Sequence, residues 1–371
     1  MTAPIDTALA LARSVLGHTN PNPAVGCVVV NAQGEVIGQG ATQPVGGPHA
    51  EVMALRDAQA RGHDTTDATA YVTLEPCAHQ GRTGPCCDAL IAAGIRRVVA
   101  SLADPNPLVA GQGFARLRAA GVAVEVGAGE QQARELNLGF LQRMTHGLPW
   151  VRMKVAASLD GRTALPDGTS QWITGEAARA DGHRWRARAC AILTGVGTVL
   201  ADDPRLDVRL PEGEDAPTRR PRRVIVDSSL RTPPSARLLT VPGPVLIYTT
   251  VDDAVRHAPL LARGADIAVL PAHGDGRVDL QAVLHDLGQR ATNEVHVEAG
   301  RTLNGALLRQ GLVDDGLVYL APKLLGNGLE MAALGTLGAL ADAPAFDFVD
   351  VMTVGADLRL IARAHKHRPN R

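Results

Sequence analysis

One histidine, two cysteines and one glutamate near the start of the chain have the types and spacing of a metal-dependent hydrolytic site. Glu51 follows His49 by two positions, and Cys77 and Cys86 each come directly after a proline. An imidazole and two thiolates leave the fourth position of a tetrahedral zinc ion open for water. Glu51 is not needed as a ligand, so it can move protons to and from that water. These residues predict a catalytic zinc site.

The same residues fit the H-x-E and P-C pattern of zinc-dependent deaminases that act on nucleobase-like rings. Those deaminases commonly carry both cysteines in one P-C-x-x-C turn, whereas here the glycine-containing segment 78–85 separates them. Two side chains of this segment, His79 and Arg82, can reach over the metal toward a polar or phosphorylated ligand. The pattern predicts removal of an exocyclic amine from a heterocycle.

A closed structural zinc site is the alternative, with Cys87 or His79 as the fourth ligand. Cys87 follows Cys86 directly, so on a helix its side chain would point about 100° away. Glu51 would then have no role, and the catalytic site is favoured. Cys27 and Cys190 lie in apolar runs and are expected to be core residues.

Composition indicates a cytoplasmic enzyme with two hydrophobic cores. The chain has 371 residues, 45% of them hydrophobic, and no apolar run approaches the roughly 20 residues of a membrane span. No signal peptide is evident, and five cysteines suit a reducing compartment and a metal better than disulfides. A net charge of -1 argues against nucleic acid as a partner.

Alternating helix and strand patterns position the first set of residues. The expected helices are 8–16, 49–61, 86–93, 113–120 and 131–144, and the expected strands are 25–31, 36–40, 70–74, 97–102 and 123–126. This order predicts a mixed sheet covered by helices on both faces, with the zinc ligands at helix starts beside strand ends.

The pattern restarts after 146–149, which predicts domains 1–146 and 147–371. In the second domain, strands 191–194 and 294–298 each lead through glycines into a helix, at 195–198 and 299–305. Such turns can cradle a phosphate, but neither matches G-x-G-x-x-G, so a Rossmann fold is not favoured. Only three basic residues are lysines, and Lys154 and Lys323 stand in strand-like apolar runs, where a compact ammonium fits and a guanidinium does not.

Longer motifs carry a family resemblance that covers nearly the whole chain. The segments N-P-N-P-A-V-G-C at 20–27, T-L-E-P-C-A-H and G-R-T-G-P-C-C resemble the deaminase domain of bifunctional riboflavin-biosynthesis deaminase-reductases. The order K-x-A-x-S-L-D-G-R, S-Q-W-I-T, G-x-G-T-V-L-A-D-D-P and V-E-A-G resembles their reductase domain. The resemblance implies a cytidine-deaminase-like three-layer α/β/α domain followed by a dihydrofolate-reductase-like α/β domain.

The resemblance also implies roles for individual residues. His49, Cys77 and Cys86 would hold one Zn²⁺ per chain, with Glu51 as the catalytic proton shuttle. NADPH would contact Ala156, Ser170, Trp172, Thr198, Asp202 and Ser228, and its pyrophosphate would lie on Gly300, Arg301, Thr302, Leu303, Asn304, Gly305 and Ala306. Substrate would contact Asn22, His79 and Arg82 in the deaminase, and Lys154, Arg186, Leu206, Arg209 and Glu298 in the reductase. Trp172 and Leu206 could instead be core residues.

The reactions implied are two consecutive steps on one small molecule. The first is hydrolytic deamination of 2,5-diamino-6-(5-phosphoribosylamino)pyrimidin-4(3H)-one, and the second is NADPH-dependent reduction of 5-amino-6-(5-phosphoribosylamino)uracil to the ribitylamino product. A homo-oligomer, dimer or tetramer, is expected. The alternative is a nucleic-acid-editing deaminase with an appended binding domain, which the charge and an aromatic content of 3% disfavour.

One position departs from the family pattern. Members commonly read G-x-G-x-H before H-A-E, with the histidine near the substrate, but this chain has Thr42 there. A threonine can hydrogen-bond and cannot carry a charge. The substrate affinity and specificity of the deaminase are therefore the properties that this residue affects.

Overall fold

Two sheets of different strand order organise the chain, and each belongs to its own unit. The computed structural model describes residues 3–78, 84–106, 110–214 and 219–365. The two units divide between Leu148 and Pro149, close to the boundary expected from the sequence. Within the described residues, every helix is too short or too polar to cross a bilayer.

The first unit places five strands in the order β2-β1-β3-β4-β5. Strand β1 is antiparallel to β2 and β3, whereas β3, β4 and β5 are parallel. The elements are α1 (Pro4–Ser14), β1 (Gly26–Val30), β2 (Val36–Ala41), α2 (Ala50–Ala60), β3 (Thr69–Val72), α3 (Cys86–Ala92), β4 (Arg97–Ala100), α4 (Gln112–Ala119), β5 (Ala123–Val126), α5 (Glu130–Leu136) and α6 (Leu138–His146).

Helix α2 packs unusually close to strand β2 because two glycines face it. A Cβ atom on Gly38 would lie 2.2 Å from the carbonyl oxygen of Ala54, and one on Gly40 would lie 2.5 Å from the Ala54 nitrogen. Both distances are far inside van der Waals contact, so only glycine fits at these two positions. The start of α2 is thereby held against the sheet.

The single helix expected over 131–144 is wrong, because the structure divides this segment at Asn137. The Asn137 side chain accepts a hydrogen bond from the Ala24 amide at 2.8 Å and donates to the Ala24 carbonyl at 2.9 Å. With a φ of -124°, Asn137 leaves the helical conformation and ends α5. The break therefore holds the loop 20–24 in place through a contact distant in sequence.

The second unit places nine strands in the order β11-β10-β9-β8-β12-β6-β13-β16-β15. The first seven in this order are parallel, and β16 and β15 add an antiparallel edge. Two short strands, β7 and β14, pair separately, and 3₁₀ turns lie at Arg237–Leu239 and Leu340–Asp342. The elements are β6 (Trp150–Ser158), β7 (Arg162–Ala164), α7 (Glu176–Arg188), β8 (Ala191–Gly195), α8 (Val196–Asp202), β9 (Arg222–Val226), β10 (Val245–Thr249), α9 (Ala254–Leu261), β11 (Ala265–Val269), α10 (Leu280–Gln289), β12 (Glu294–Val297), α11 (Arg301–Arg309), β13 (Asp315–Ala321), β14 (Leu329–Glu330), β15 (Phe346–Val354) and β16 (Asp357–Ala364).

The two conspicuous lysines have different environments. Lys154 lies on central strand β6 with only 24% of its side chain exposed. Lys323 lies beyond the end of β13, is exposed, and donates to the Trp172 carbonyl at 3.2 Å. The expectation that Lys323 stands within a strand is therefore wrong, because β13 ends at Ala321 before Pro322, which cannot continue the ladder.

A buried ion cluster joins β6, α7, β12, β13 and β16. Glu294 accepts hydrogen bonds from Arg152 at 2.8 Å and from Arg188 at 3.2 Å, and Arg152 also reaches Asp315 at 3.4 Å. The Trp185 ring lies 4.5 Å from the Arg152 guanidinium and 4.7 Å from that of Arg188. The cluster consists of Arg152, Arg188, Arg363, Glu294 and Asp315, three cations with two carboxylates.

Candidate functional site

The three predicted zinc ligands converge at one point of the first unit. His49 is the residue that caps the start of α2, Cys86 is the first residue of α3, and Cys77 lies in the loop after β3. The Nδ1 atom of His49 lies 3.2 Å from the Cys86 Sγ and 3.6 Å from the Cys77 Sγ. All three donor atoms lie within 4.8 Å of one another, and a search of the described residues finds no other such cluster. This donor set is one that zinc prefers.

The two thiols of this cluster differ in how readily they ionise. Hydrogen bonds from Cys86 and His49 lower the pKa of the Cys77 thiol to about 4, while the same contact raises that of Cys86. A bound dication would favour the thiolate form of both cysteines. The chemistry of the donor set therefore fits zinc.

Glu51 lies in the first turn of the same helix and is 4% exposed. Burial, opposed by a backbone hydrogen bond, raises the pKa of its carboxyl to about 7. The carboxyl can therefore hold or release a proton near neutral pH, as an acid and base must. Its helix is fixed by Gly38 and Gly40 of β2, so its position depends on the close packing described above.

Cys87 is engaged elsewhere. Its Sγ contacts the carbonyl oxygens of Pro76 at 3.1 Å and Gly113 at 3.5 Å, and burial raises its pKa to about 12. A protonated, hydrogen-bonded thiol facing away from the cluster is not a zinc ligand. His79, the other candidate for the fourth zinc ligand, lies outside the described residues. The same is true of Arg82.

A cleft of about 410 Å³ opens beside the cluster. Two of the residues that line it were expected near the substrate, namely Asn22 in the loop 20–24 and Thr42 after β2. Asp104 and Asn106 were not, although they follow the carboxyl end of β4, where parallel sheets place their sites. The lining residues include Pro21, Asn22, Thr42, Val45, His49, Glu51, Glu75, Cys77, Asp104, Asn106 and Phe140.

Glu75 is a further residue that sequence analysis did not find. Its buried carboxylate accepts hydrogen bonds from the amides of Asp104 at 3.0 Å, Gly111 at 3.1 Å and Phe114 at 3.1 Å. These three amides belong to the segment that begins with the cleft residue Asp104 and ends in α4. Glu75 therefore fixes one wall of the cleft two residues before the ligand Cys77.

Removing one thiolate tests the ligand set. We expect Cys77→Ser to lower bound zinc from one per chain to less than about a tenth, because a hydroxyl is a poor ligand for this borderline-soft ion. Elemental analysis of the purified protein measures the change. Cys87→Ser is the matched control and should retain its zinc. Equal zinc in both variants would contradict the assignment.

A second cluster forms around Glu298, just beyond β12. Its carboxylate accepts hydrogen bonds from Arg186 of α7, one of them from Nη2 at 2.8 Å, and lies 3.9 Å from the Lys154 Nζ. Burial opposes ionisation, but Arg186 and Lys154 outweigh it and hold the pKa of Glu298 well below its usual range. The buried His296 adds its Nε2 at 3.1 Å, a contact that sequence analysis missed. Three predicted substrate residues thus meet at one carboxylate.

Segment 205–209 borders this cluster and carries two further predicted residues. Arg186 donates to the Asp207 carbonyl at 2.9 Å, and the Asp207 carboxylate lies 3.5 Å from the guanidinium of Arg209. Leu206 is 5% exposed with a φ of +48°. His183 of α7 accepts a hydrogen bond from the Arg209 amide at 3.2 Å and was not predicted.

The two glycine turns lie side by side, because β8 and β12 are adjacent and parallel. The Gly300 amide donates to the Thr198 Oγ1 at 3.2 Å, which joins the start of α11 to α8. Asn304 and Gly305 instead face the protein. Asn304 donates to the Met331 carbonyl at 3.0 Å, and a Cβ on Gly305 would lie 2.2 Å from the Ala333 carbonyl oxygen.

The other predicted cofactor residues are spread over several elements. Trp172 is 63% exposed, which excludes a core role, and the Arg179 guanidinium lies 4.6 Å from its ring. The Ser228 hydroxyl accepts from the Val278 amide at 2.9 Å. Arg301 pairs with Glu330, Thr302 and Asp202 are exposed, and Ala156, Ser170, Leu303 and Ala306 are half-buried.

Comparisons with known proteins place each half of the chain in a family. The cytidine and deoxycytidylate deaminase zinc-binding region matches residues 4–102, and the RibD C-terminal domain matches residues 149–360. The riboflavin biosynthesis protein RibD of Escherichia coli (strain K12) is 48% identical, over 95% of this chain and 96% of its own. The chain belongs to the RibD family.

Solved RibD structures share the fold of the whole chain. Form 1 of Acinetobacter baumannii RibD is 42% identical and matches with a TM-score of 0.89, covering 98% of each chain. A diaminohydroxyphosphoribosylaminopyrimidine deaminase/5-amino-6-(5-phosphoribosylamino)uracil reductase from Thermotoga maritima is 34% identical, with a TM-score of 0.85 and 98% coverage of each chain.

Family membership confirms the principal expectations from sequence. The chain is a bifunctional deaminase and reductase of riboflavin biosynthesis, with zinc and NADPH as cofactors. Its fold combines a cytidine-deaminase-like domain with a dihydrofolate-reductase-like domain. An editing deaminase with an appended nucleic-acid-binding domain is not favoured, because the second half matches the RibD C-terminal domain.

Proposed function

We propose that residues 1–146 deaminate 2,5-diamino-6-(5-phosphoribosylamino)pyrimidin-4(3H)-one and that residues 147–371 reduce 5-amino-6-(5-phosphoribosylamino)uracil to the ribitylamino product. The observation that carries the first half is the His49–Cys77–Cys86 cluster with buried Glu51 beside an open cleft. The Glu298 cluster carries the second half. These substrates are the ones that the name of the Thermotoga maritima relative implies.

In the deaminase, His49, Cys77 and Cys86 would hold the zinc, which would supply an activated water molecule. Glu51 would accept a proton from the attacking water and return a proton to the departing amine, since its pKa near 7 permits both states. Asn22, together with Asp104 and Asn106 on the wall held by Glu75, orients the ring and the ribose phosphate. Thr42 lines the same cleft without a charge.

In the reductase, Lys154 and Glu298 lie beside the sugar carbon that receives hydride from NADPH. Arg186 and Arg209 bind the 5-phosphate, because guanidinium groups match phosphate geometry. The paired turns at Thr198 and at Gly300 would hold the cofactor pyrophosphate, whereas Asn304 and Gly305 face the protein, and Ser228, Ser229 and Arg231 follow β9 where the 2′-phosphate would lie. Glu298 keeps its charge because its pKa is held low, so it orients both cations around it.

Product analysis tests both assignments at once. The purified chain is given the diaminopyrimidinone substrate with and without NADPH, and zinc content is measured alongside. We expect ammonia and the uracil intermediate without NADPH, and the ribitylamino product with it. Release of ammonia without later NADPH oxidation would reject the reductase assignment, and the absence of ammonia from zinc-loaded protein would reject the deaminase assignment.

Lys154 offers a sharper test of the reductase site. Its Cε lies 4.0 Å from where a Cβ on Gly182 would be, so the space around the side chain is limited. We expect Lys154→Arg to lower kcat for NADPH oxidation about 10²-fold, because a bulkier planar fork displaces Glu298 or the substrate. Stopped-flow absorbance of NADPH measures the rate. Ammonia release is the internal control, and an unchanged reductase rate would contradict the role.

The protein is proposed to act in the cytoplasm as a homodimer or homotetramer. A reducing compartment keeps the zinc thiolates available. Edge strand β15 exposes Phe348, Val351 and Met352 at 70%, 55% and 42%, and a long apolar edge favours pairing with another copy. Light scattering of the full chain at several concentrations distinguishes monomer, dimer and tetramer.

A further inference from the structure

His183 is a half-buried histidine that the proposed reaction does not use. It lies on α7, one helical turn before Arg186, and faces segment 205–209. Its Nδ1 lies 3.2 Å from the backbone nitrogen of Arg209, and its Nε2 lies 3.3 Å from the Nη2 of the same residue. Both ring nitrogens therefore face groups that can only donate a hydrogen bond.

A neutral imidazole can satisfy one of these two donors and not both, since it has one acceptor nitrogen. The guanidinium of Arg209 has other acceptors, because it is 61% exposed and lies 3.5 Å from the Asp207 carboxylate. The Arg209 amide cannot turn to another partner without moving its loop. Nδ1 therefore accepts from the amide, and the ring proton lies on Nε2.

The protonation state of the ring agrees with this assignment. Burial lowers the pKa of His183 to about 4, and the nearby guanidinium groups of Arg186 and Arg209 lower it further. The ring is neutral at working pH, with one donor and one acceptor. The carboxylates of Asp207 and Glu298 act in the opposite direction and are outweighed.

With the ring proton on Nε2, two donor groups lie next to each other. The Nε2–H of His183 and the Nη2–H of Arg209 lie 3.3 Å apart at their nitrogens, and neither can accept from the other. We define these two groups as the His183–Arg209 donor pair. An anionic oxygen that accepts from both groups would satisfy them together, and the cation Arg186 lies near enough to add its charge.

We propose that His183 donates directly from Nε2 to the 5-phosphate of the reductase substrate, as the partner of Arg209. The inference rests on the proposed function and deepens it, because it adds a neutral donor to the two arginines that bind the phosphate. A neutral donor adds a directed hydrogen bond without adding another positive charge to the crowded cluster.

Two amide side chains separate this role from a purely structural one. Asparagine places its oxygen near the position of Nδ1, so His183→Asn keeps the acceptor for the Arg209 amide and loses the outer donor. Glutamine extends its amide to the position of Nε2, so His183→Gln keeps the outer donor and loses the tether. His183→Phe removes both, and His285→Gln, at an exposed position of α10, is a control for the substitution itself.

The measurements are made on the full zinc-loaded chain. Steady-state NADPH oxidation gives KM and kcat for the phosphoribosylaminouracil substrate, and calorimetry gives the Kd of ribose 5-phosphate, a readout that does not require turnover. We expect His183→Asn and His183→Phe to raise KM and Kd about 10-fold with little change in kcat, and His183→Gln to stay near the wild type. The KM for NADPH should be unchanged, which distinguishes the substrate phosphate from a phosphate of the cofactor.

A comparison of His183→Gln with His183→Asn decides between a direct phosphate contact and a purely structural role. Tighter binding by the glutamine variant than by the asparagine variant supports the direct contact. Binding by the asparagine variant that is equal or tighter overturns it and leaves His183 as a tether for the loop. A change in the KM for NADPH alone also overturns it. If the wild-type chain binds ribose 5-phosphate but oxidises no NADPH, the proposed reductase function fails while the phosphate contact stands.

Discussion

Glu51→Gln should abolish deamination and leave zinc, fold and reduction intact. The amide is nearly the same size as the carboxyl, and Glu51 is not one of the three clustered ligands. It cannot take up and return a proton, and a positioned acid and base contributes about 10²–10⁴-fold to rate. Ammonia release from the diaminopyrimidinone substrate should fall by that factor.

Three measurements separate this result from general damage. Zinc content should remain at one per chain, and NADPH oxidation with the already deaminated substrate should equal that of the wild type. The same change at the exposed Glu130 is the matched control and should leave ammonia release unaltered. Wild-type deamination by Glu51→Gln would remove Glu51 from the mechanism.

Glu294→Gln should destabilise the second unit strongly at neutral pH. Although burial opposes ionisation, Arg188 and Arg152 lower the pKa of Glu294 to about 2 from an ordinary value of 4.5. A depressed carboxyl pKa contributes stability that is complete above the unfolded value and is lost as pH falls toward the folded value. Loss of the charge leaves three guanidinium groups with one carboxylate, and we expect the free energy of unfolding to fall by about 3 kcal/mol.

Tryptophan fluorescence can follow this unit alone, because all three tryptophans of the chain, Trp150, Trp172 and Trp185, belong to it. Urea unfolding monitored in this way should show the largest difference from wild type near pH 7. The difference should narrow as pH is lowered from about 4.5 toward 2. Glu214→Gln breaks an exposed pair with Arg184 and should lower the free energy of unfolding far less than Glu294→Gln does. Equal losses in the two variants would show that burial does not strengthen the Glu294 cluster.

The zinc cluster and most elements could be predicted because their signals are local. A few consecutive residues are enough to indicate that a helix starts at the ligand His49 and that another starts at Cys86 after a proline. The structure begins α2 and α3 within one residue of the expected positions. The hydrophobic alternation that indicates a strand is equally local, and β5 has the expected bounds.

What could not be predicted depends on contacts between distant segments. Asn137 ends a helix because its amide binds Ala24, and nothing near Asn137 in the sequence indicates this partner. Glu75 fixes a wall of the cleft through amides that follow it by about 30 positions or more. His183 lies in an arginine-rich helix that resembles a solvated face, and nothing near it in the sequence indicates that Arg209 contacts it.

The glycines of β2 also determine where the deaminase can change during evolution. Gly38, Gly40 and Thr42 are spaced two residues apart in extended chain, so they face the same side of the sheet. Any larger residue at the first two positions would push α2, and with it His49 and Glu51, away from the sheet. Thr42, the first residue after β2, lines the cleft, so we expect a change there to alter what the site accepts without moving the helix. We therefore expect homologous enzymes to keep glycine at positions 38 and 40 and to vary at position 42. Within five residues, the chain then holds two positions that preserve the catalytic residues and one that can change substrate specificity.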